Sequence, residues 1–546
     1  MFSLTAAFAR PLVLYQNANR IGTALLLAVA LVACAGLPPG ARFPKTSTMA
    51  LAHPEQTQLG RQFGSAAQEH GGASAFRIIS VGVDGFRARM QMIDAAQRTL
   101  DLQYYIFRGD ETGRMLTDRL RHAADRGVRI RLLIDDADTV AGDEQVLRLA
   151  ALPTVELRIF NPFSYRGHSR LLRKLDFFLH APRLDYRMHN KLLVADNAVA
   201  LVGGRNIGNQ YFQVDPESQF ADDDLFTAGA VVGELSGIFD QFWNSRLAIP
   251  VAALGRPASP AGAVMARSED ENAKTPTLSS SAIDYRSLLA SSDVLQGIIS
   301  GDLSLVWAQA QVVYDSPDKK AVTSGALPGS LIEQPVAESA RQVRSELLLV
   351  TPFMVPDKDE RDLLKDLRQR QVRVRVLTNS LESTPEPVAQ SGYEHYRVPM
   401  LAEGIELNEI RSRLGSARGS GQTAKVSRLG NYALHAKLYV FDRQKMFIGS
   451  MNFDQRSKRI NTEIGLIVDS SELARQTAQR FDAMIVPDNC YRPELQPAGA
   501  SRAGSHLVWH TRENGQDIDY TNEPARSGWQ RLKVKLWSLL PISGEL

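Results

Sequence analysis

Two segments of this 546-residue chain carry the same set of reactive side chains. They share the pattern His-x-Lys-x4-Asp at a separation of 246 residues, with His189, Lys191 and Asp196 in the first copy and His435, Lys437 and Asp442 in the second. Each copy continues through an apolar stretch into a small-residue turn that carries an amide: Asn206 in the first and Asn452 in the second. A lone histidine beside a strand is usually a packing residue, whereas two copies in register favour one shared chemical centre.

The chemistry that suits these groups is the cleavage and re-formation of a phosphodiester. A diester carries a negative charge that repels a nucleophile, so Lys191 and Lys437 are expected to bind its non-bridging oxygens. The amides of Asn206 and Asn452 and the hydroxyl of Ser450 are expected to add hydrogen bonds to the same oxygens. A neutral imidazole can attack phosphorus to give a phosphohistidine while a protonated one donates to the leaving alkoxide. The second imidazole then deprotonates an alcohol, which gives transfer, or water, which gives hydrolysis.

No metal or other cofactor is expected at this centre. The chain contains no HExxH or CxxC motif and no Walker-type glycine-rich loop. His180 could in principle join His189 and His435 around a metal ion. The lysine two residues after each motif histidine would then place a cation beside the metal, which argues against such a site.

The elements that must position these residues are themselves repeated. Residues 101–106 match residues 346–351, and residues 128–133 match residues 372–377, at nearly the same separation as the histidines. The second pair alternates apolar residues with arginine before becoming fully apolar, which predicts strands with one protected face. Between them, residues 113–127 and 359–370 have helical spacing. The sequence therefore predicts one α/β lobe used twice.

At this level of detail the chain resembles the phospholipase D superfamily, and in particular its bacterial cardiolipin synthase branch. Residues 102–106, 124–129 and 203–208 carry the likeness, which extends over about residues 78–488. The resemblance implies two tandem phospholipase D-type α/β lobes, each a mixed sheet flanked by helices, related by pseudo-two-fold symmetry. It also implies a monomer in which both motifs form one site. One departure is that the first copy has Gly204 and Gly208 where the second has Ser450 and Asp454, so a serine contact is expected on one side only.

The same resemblance assigns roles. His189 is expected to be the nucleophile and His435 the general acid and base, an order that the residues alone do not settle. Each imidazole needs a carboxylate to fix its tautomer, and Glu463, at the start of an apolar strand, matches the orienting residue of the family. In the first half Asp224 is preferred over residues 222 and 223, because it too precedes an apolar pair.

Asp196 and Asp442 are expected to close turns rather than to act on the substrate, although they belong to the motif.

The charge balance argues against a polyanion as the default substrate. Lys+Arg 63 against Asp+Glu 60 gives a net charge of only +3, so no global field attracts nucleic acid. Two basic segments precede the motifs, and they are either solvated loops or the walls of the site mouth, where they would meet anionic headgroups. Their cations are Arg166, Arg170, Arg173 and Lys174 in the first, and Arg411, Arg413, Arg418, Lys425 and Arg428 in the second.

The N-terminus predicts a bacterial lipoprotein. Arg10 and Arg20 precede the apolar residues 21–33, which are too few to cross a bilayer, and Cys34 follows them as the residue to be acylated. Since Cys490 is the other cysteine, no disulfide framework is expected. Ala35 favours the periplasmic side of the outer membrane. An uncleaved anchor and a secretory signal cut elsewhere are the alternatives.

These features divide the chain into six parts. We predict a signal peptide at 1–33, a tether at 34–75, a first half at 76–250, a linker at 251–285, a second half at 286–490 and a tail at 491–546. The tail ends in a stretch rich in Trp, Leu and cations, residues 529–541, which predicts either an interfacial helix on the membrane or an ordinary helix docked on the protein.

The function predicted from these observations is phosphatidyl transfer between anionic phospholipids at a membrane, with a second phosphatidylglycerol, or glycerol released from it, as acceptor. Hydrolysis of the headgroup by a phospholipase D is the first alternative. A periplasmic nuclease built on the same centre is the second, and the weak net charge and the membrane attachment count against it.

Overall fold

The computed structural model describes residues 37–137, 144–167, 169–214, 218–254, 285, 289, 292–415, 431–497 and 505–538. The predicted signal peptide, Cys34 and most of the predicted linker lie outside these residues. Among the helices of the described residues, none combines the length and the apolar character needed to cross a bilayer.

The first half is a mixed sheet with the order β1-β8-β6-β5-β2-β3-β4-β9, in which β2, β3 and β4 run parallel. Its strands are β1 Ser74–Ile79, β2 Thr99–Tyr104, β3 Arg129–Asp135, β4 Val155–Phe160, β5 Leu192–Ala195, β6 Val199–Gly203, β7 Ser218–Ala221, β8 Asp224–Ala228 and β9 Ala248–Pro250. Of these, β7 stands apart from the sheet.

The second half repeats this order as β10-β19-β17-β16-β11-β13-β14-β20, with β11, β13 and β14 parallel. Its strands are β10 Val306–Tyr314, β11 Glu346–Val350, β12 Met354–Val355, β13 Arg373–Asn379, β14 Glu406–Ile410, β15 Asn431–Leu434, β16 Leu438–Phe441, β17 Lys445–Gly449, β18 Phe453–Asp454, β19 Ile464–Asp469 and β20 Cys490–Pro497. The predicted pair of α/β lobes is confirmed strand by strand.

Two pairings between strands join the halves. The start of β10 pairs with β1 and the rest of it pairs with β19, so one strand belongs to both sheets. Separately, β7 of the first half pairs in parallel with β15 of the second.

Helices cover the sheets. They are Gln58–Glu69, Gly82–Ala95, Glu111–Asp125, Glu144–Leu149, Arg170–Leu179, Ala181–Leu184 and Ala230–Asn244 in the first half. Those after it are Val294–Ser300, Lys319–Thr323, Glu333–Arg341, Lys358–Gln369, Pro387–Ala402, Gln455–Arg459, Ser471–Met484 and Gly528–Ser538.

The part of the predicted tether that the structure describes packs on the first half. The helix Gln58–Glu69 is capped by Thr57, whose side chain accepts a hydrogen bond from Gly60 N–H, and it buries Leu59 and Phe63 one turn apart. Upstream of it, the carbonyl of Thr48 accepts a hydrogen bond from Arg131 at 2.8 Å. The composition predicts a linker, but the segment is held by an amphipathic helix and by hydrogen bonds of the residues before it.

The strand predicted to have one protected face is protected on both. Arg131, at an alternate position of β3, is 1% exposed and donates to Asp101 of β2 at 2.6 and 2.8 Å. Two buried charges that satisfy each other allow an alternating polar pattern inside a covered sheet.

The tail is folded onto the second half. The strands β21 Ser505–Glu513 and β22 Gln516–Tyr520 extend the second sheet from β20, so that sheet continues beyond the predicted boundary at residue 490. The helix Gly528–Ser538 packs on the helix Pro387–Ala402.

Candidate active site

Both motif histidines line one cavity of about 800 Å³ between the two halves. His189 follows the short helix Ala181–Leu184 and precedes β5, and His435 lies between β15 and β16. The walls come from both halves and from the tail, and include Tyr105, Arg108, Asn206, Tyr211, Phe220, Asn452, Asp454, Arg456, Asn461, Arg526 and Gln530. The two motifs thus meet within a single chain.

His189 is held by contacts with both halves. Its N–H donates to the carbonyl of Thr462 at 2.9 Å, and the N–H of Met188 donates to Asp135 Oδ2 at 2.8 Å. The Nδ1 atom of His189 lies 2.9 Å from Glu463 Oε2, and the ring packs against the edge of Tyr105. Donation from Nδ1–H to this carboxylate favours the tautomer that leaves Nε2 with its lone pair free.

His435 has the mirrored arrangement. Its N–H donates to the carbonyl of Ala221 at 2.8 Å, and the N–H of Leu434 donates to Asn379 Oδ1 at 2.8 Å. Its Nδ1 lies 2.6 Å from Asp222 Oδ2, and its ring stacks on Phe220 with centroids 5.3 Å apart. Each imidazole therefore takes its carboxylate from the opposite half of the chain.

The prediction of Asp224 as an orienting carboxylate is wrong, and the strand register shows why. In the β6–β8 pair the last residue of β6 lies opposite Asp224, whereas in the β17–β19 pair the last residue of β17 lies opposite Gly465. The counterpart of Glu463 is therefore two residues earlier, at Asp222. The sequence offers three consecutive aspartates here, and only the pairing of the strands distinguishes them.

Asp224 forms a buried ion-pair cluster behind the site. Its carboxylate accepts from Arg89 at 2.7 and 2.8 Å and from Arg205 at 2.9 Å. Arg89 in turn donates to the hydroxyl of Tyr104 at 3.1 Å. All four side chains are buried, so this cluster stabilises the first half and does not reach the cavity.

The motif lysines are buried beside their histidines. Lys191 Nζ donates to the carbonyl of His189, and Lys437 Nζ donates to the carbonyl of His435 and lies 3.0 Å from its Nδ1. Burial lowers the pKa of Lys437 to about 8, against the pull of Asp222, and lowers the pKa of Lys191 well below its ordinary value. A bound anion would favour the protonated form of each lysine, because a phosphate oxygen would offset the cost of burying the ammonium charge.

The imidazoles and their carboxylates differ in charge state. Burial, together with the neighbouring lysines, lowers the pKa of both histidines, that of His435 to about 3. Burial would raise the pKa of Asp222, but His435, Lys437 and other cations outweigh it and lower that pKa to about 2. Burial raises the pKa of Glu463 to about 7 despite Lys191. Asp222 therefore stays ionised beside its imidazole, and Glu463 titrates near neutrality.

The predicted phosphate-binding groups divide into two kinds. Asn206 and Asn452 line the cavity as expected, and Asn206 Nδ2 donates to the hydroxyl of Tyr211 at 2.8 Å. Ser450 is fully buried, donates to Glu463 and accepts from the N–H of Ile464, so it orients the carboxylate rather than facing the cavity.

The missing serine of the first half has a steric cause. A Cβ atom on Gly204 would lie 2.2 Å from Asp222 Oδ1, so the carboxylate occupies the space that a side chain would need.

Asp196 and Asp442 lie in equivalent turns with φ near +54° and +53°. The Asp196 carboxylate accepts from the N–H groups of residues 97–99 at 2.7 to 2.9 Å, and that of Asp442 accepts from residues 344–346 at 2.7 to 3.0 Å. Both residues lie in turns, the position expected for them, and their carboxylates bind the backbone at the start of a central strand.

The described residues contain no group of three or more His, Cys, Asp or Glu side chains placed to hold a metal ion. His180 is bound to Asp176 Oδ1 at 2.8 Å and does not join the two motif histidines. The metal-free mechanism remains a prediction.

Comparison with known proteins gives three findings. A family model described as cardiolipin synthase, PLD-like domain, matches residues 90–243 and 337–485. Cardiolipin synthase C of Escherichia coli K12 is 34% identical over 486 residues, which cover 87% of this chain and 96% of that protein. A probable cardiolipin synthase of Bacillus subtilis, YwiE, is 22% identical and is covered over 69% of its length, against 79% of this chain.

Among solved structures, phosphatidylserine synthase of Haemophilus influenzae superposes on this chain with a TM-score of 0.48 and 12% sequence identity. The match covers 79% of this chain and 91% of the synthase.

Proposed function

Because the chain belongs to the family described as cardiolipin synthase, PLD-like domain, we propose that its site transfers a phosphatidyl group from one phosphatidylglycerol to a headgroup hydroxyl of another. The chain is a phosphatidyltransferase or phosphodiesterase of the phospholipase D superfamily. The observation that carries the proposal is the crossed pair of imidazoles, each with a carboxylate at Nδ1, in one cavity with two buried lysines.

The first step breaks the bond between phosphorus and the headgroup oxygen. His189 Nε2 attacks phosphorus and forms a phosphohistidine, while His435 donates its proton to the leaving glycerol oxygen. Lys191 and Lys437 stabilise the charge on the non-bridging oxygens. In the second step His435 removes the proton of the incoming hydroxyl, the new oxygen bonds to phosphorus, and the bond to His189 breaks.

The two carboxylates support this division of roles. A carboxylate that stays ionised, as Asp222 does, favours the imidazolium form of His435 that must donate a proton. Glu463 accepts a hydrogen bond from Ser450, and its pKa is about 7. Because this carboxyl carries less negative charge near neutral pH, it favours the neutral form of His189 that attacks phosphorus. The negative charge of the bound phosphodiester raises the pKa of His435 from its depressed value, because an anion stabilises the charged imidazole.

The walls of the cavity are suited to bind an acceptor hydroxyl. Aromatic rings of Tyr105, Tyr211 and Phe220 pack against the imidazoles. The Oδ1 atoms of Asn452 and Asn461 are buried without a hydrogen-bond partner among the described residues, and both residues line the cavity. Acceptors of this kind suit a donor hydroxyl, that of an alcohol in transfer or of water in hydrolysis, since phosphate oxygens cannot donate.

Attachment to the membrane forms the second part of the proposal. Acylation of Cys34 would hold the enzyme at the periplasmic face of a bacterial membrane, the outer membrane being favoured by Ala35. The enzyme would act as a monomer, because both motifs of the site come from one chain.

The test is incubation of the full chain in vesicles with labelled phosphatidylglycerol, followed by lipid chromatography. Transfer gives cardiolipin and glycerol, and the His189→Ala variant gives neither. Phosphatidic acid as the sole lipid product would replace the transferase by a phospholipase D. Cleavage of DNA or RNA with no change in the lipid would support the nuclease.

A further inference from the structure

Two helices carry most of the exposed large apolar side chains of the described residues. Eight of the fourteen such residues lie on Arg170–Leu179 and Gly528–Ser538. They are Leu171, Leu172, Leu175, Phe178 and Leu179 on the first helix, and Trp529, Leu532 and Leu536 on the second. Single exposed apolar residues need no explanation, but grouped ones mark an interaction surface.

The helix Arg170–Leu179 is inverted relative to an ordinary surface helix. Its apolar side faces outward, with Leu171 75% and Phe178 74% exposed. Its polar side faces the protein, where the Asp176 carboxylate accepts from the N–H of Tyr165 at 2.8 Å and Arg173 lies 3.6 Å from Asp136. The inward side chains are polar and the outward side chains are apolar, so the outward face is better suited to an apolar surrounding than to water.

The tail helix has the same outward character. It buries Val534, and Gln530 Nε2 donates to the carbonyl of Leu381 at 2.6 Å, while Trp529 is 67% exposed. The helix therefore docks on the second half, as one of the two predicted alternatives has it, and still presents an apolar face.

The two helices occupy comparable places about the site. Asp136, which holds the first helix, follows the end of β3, and Leu381, which holds the second, follows the end of β13. These strands are equivalent in the two halves, and the last residue of each accepts a hydrogen bond from the N–H of the residue before a motif histidine. Both helices are thus held just beyond a strand end that positions a motif histidine, and Gln530 lines the cavity.

Cations accompany both apolar faces. Arg170 and Lys174 are exposed on the first helix, and Lys533 and Lys535 on the second. Leucine and aromatic side chains with interspersed cations are the composition of a helix that lies in the headgroup region of an anionic bilayer.

We propose that these two helices form a membrane-docking rim that rests on an anionic phospholipid bilayer and turns the cavity toward the lipid. The inference rests on the proposed function, because a phospholipid donor and acceptor must reach the cavity from the bilayer. A second copy of the chain or a protein partner seated on both helices would close the same entrance to lipid. The bilayer is the occupant that leaves the cavity usable.

Spin labels test the contact itself. Phe178→Cys and Trp529→Cys place labels on the rim, and Met49→Cys places one beside Arg129, at the opposite end of β3 and 61% exposed. The unsubstituted chain, which contains two cysteines, gives the background. With vesicles that contain phosphatidylglycerol, the two rim labels should become accessible to oxygen and shielded from an aqueous nickel reagent, and the label at residue 49 should not. Rim labels that stay in water on vesicles, or that become shielded without vesicles in a concentration-dependent dimer, overturn the proposal.

Turnover separates the rim from the site. Leu175→Glu with Phe178→Glu adds charge to exposed positions and should lower the rate on bilayer substrate by about ten-fold or more, with less than about two-fold change on dispersed short-chain phospholipid. Met49→Glu is the matched control and should change neither rate. Equal losses on both substrates, or no loss on the bilayer, contradict the rim. If the unsubstituted chain turns over no phospholipid at all, the proposed function fails, while the label measurement still decides the docking.

Discussion

The crossed arrangement of carboxylates can be tested by replacing Asp222 and Asp224 separately with asparagine. The two residues are neighbours in sequence, have the same chemistry and are both buried. One accepts from His435 Nδ1 at 2.6 Å, and the other binds Arg89 and Arg205 away from the cavity. The amide keeps the size of the side chain and removes its charge. The two variants therefore undergo the same chemical change and differ only in the position of the residue.

The expected loss for Asp222→Asn follows from the hydrogen bond that it weakens. A hydrogen bond to a charged group contributes about 1.5 to 3 kcal/mol, and each 1.36 kcal/mol changes a rate ten-fold. If this bond stabilises the imidazolium of His435 mainly in the transition state, kcat/KM should fall about 10- to 150-fold. Loss of the anion also lowers the pKa of His435, so the limb of the pH profile that reports this histidine should move to lower pH.

Asp224→Asn should act on stability instead. Breaking a buried ion pair by removing one partner costs about 3 to 5 kcal/mol, because two arginines remain buried with less compensation. The protein that remains folded should keep its kcat/KM and its pH profile. Labelled phosphatidylglycerol transfer measured across pH, with thermal unfolding followed by circular dichroism, reports both quantities.

The reasoning is refuted if Asp224→Asn shifts the pH profile while Asp222→Asn leaves it unchanged, since His435 would then be oriented by the residue that the structure places behind the site.

Four further predictions concern the intermediate, the first-half turn, metals and the anchor. With an activated donor, the His435→Ala variant should accumulate phosphatidyl-enzyme and His189→Ala should not; label trapped on the latter would reverse the two roles. Gly204→Ala should lower turnover at least about ten-fold, because its Cβ would meet the Asp222 carboxylate at 2.2 Å; full activity would show that this contact relaxes freely. Transfer should survive excess chelator, and a loss that zinc restores would contradict the metal-free mechanism. Cys34→Ser should leave an unprocessed precursor or release the chain to the soluble fraction, and normal processing with firm attachment would argue against acylation.

The sequence was sufficient for the features that repeat. The motif histidines and lysines, the parallel strands before them and the two lobes all follow from the separation of about 246 residues, because equal spacing reflects equal architecture. The family resemblance then supplied the meeting of the two motifs, which no local pattern reports. The turn positions of Asp196 and Asp442 could also be predicted, since each lies between two apolar stretches, where the chain must reverse.

The sequence was insufficient where contacts cross between the halves. Asp222 and Glu463 serve histidines of the opposite half, and their choice depends on strand register and on a loop that is five residues longer in the first copy. Ser450 was predicted at the phosphate, yet its hydroxyl is used by Glu463, a partner that sequence spacing does not reveal. The segment before β1 was predicted to be a linker because it is rich in Pro, Gly, Gln and Ala, a composition that does not reveal its contacts with the first half.

The strand shared by the two sheets, β10, has a consequence for how the molecule unfolds. Its first residues pair with β1 at the edge of the first sheet, and its later residues pair with β19 at the edge of the second. Without β10, each sheet would have an unpaired edge strand. Separated halves would each present an unpaired edge, which is a template for aggregation. We therefore expect the duplicated lobes to unfold as one cooperative unit, so that a destabilising substitution in either lobe also lowers the stability of the other.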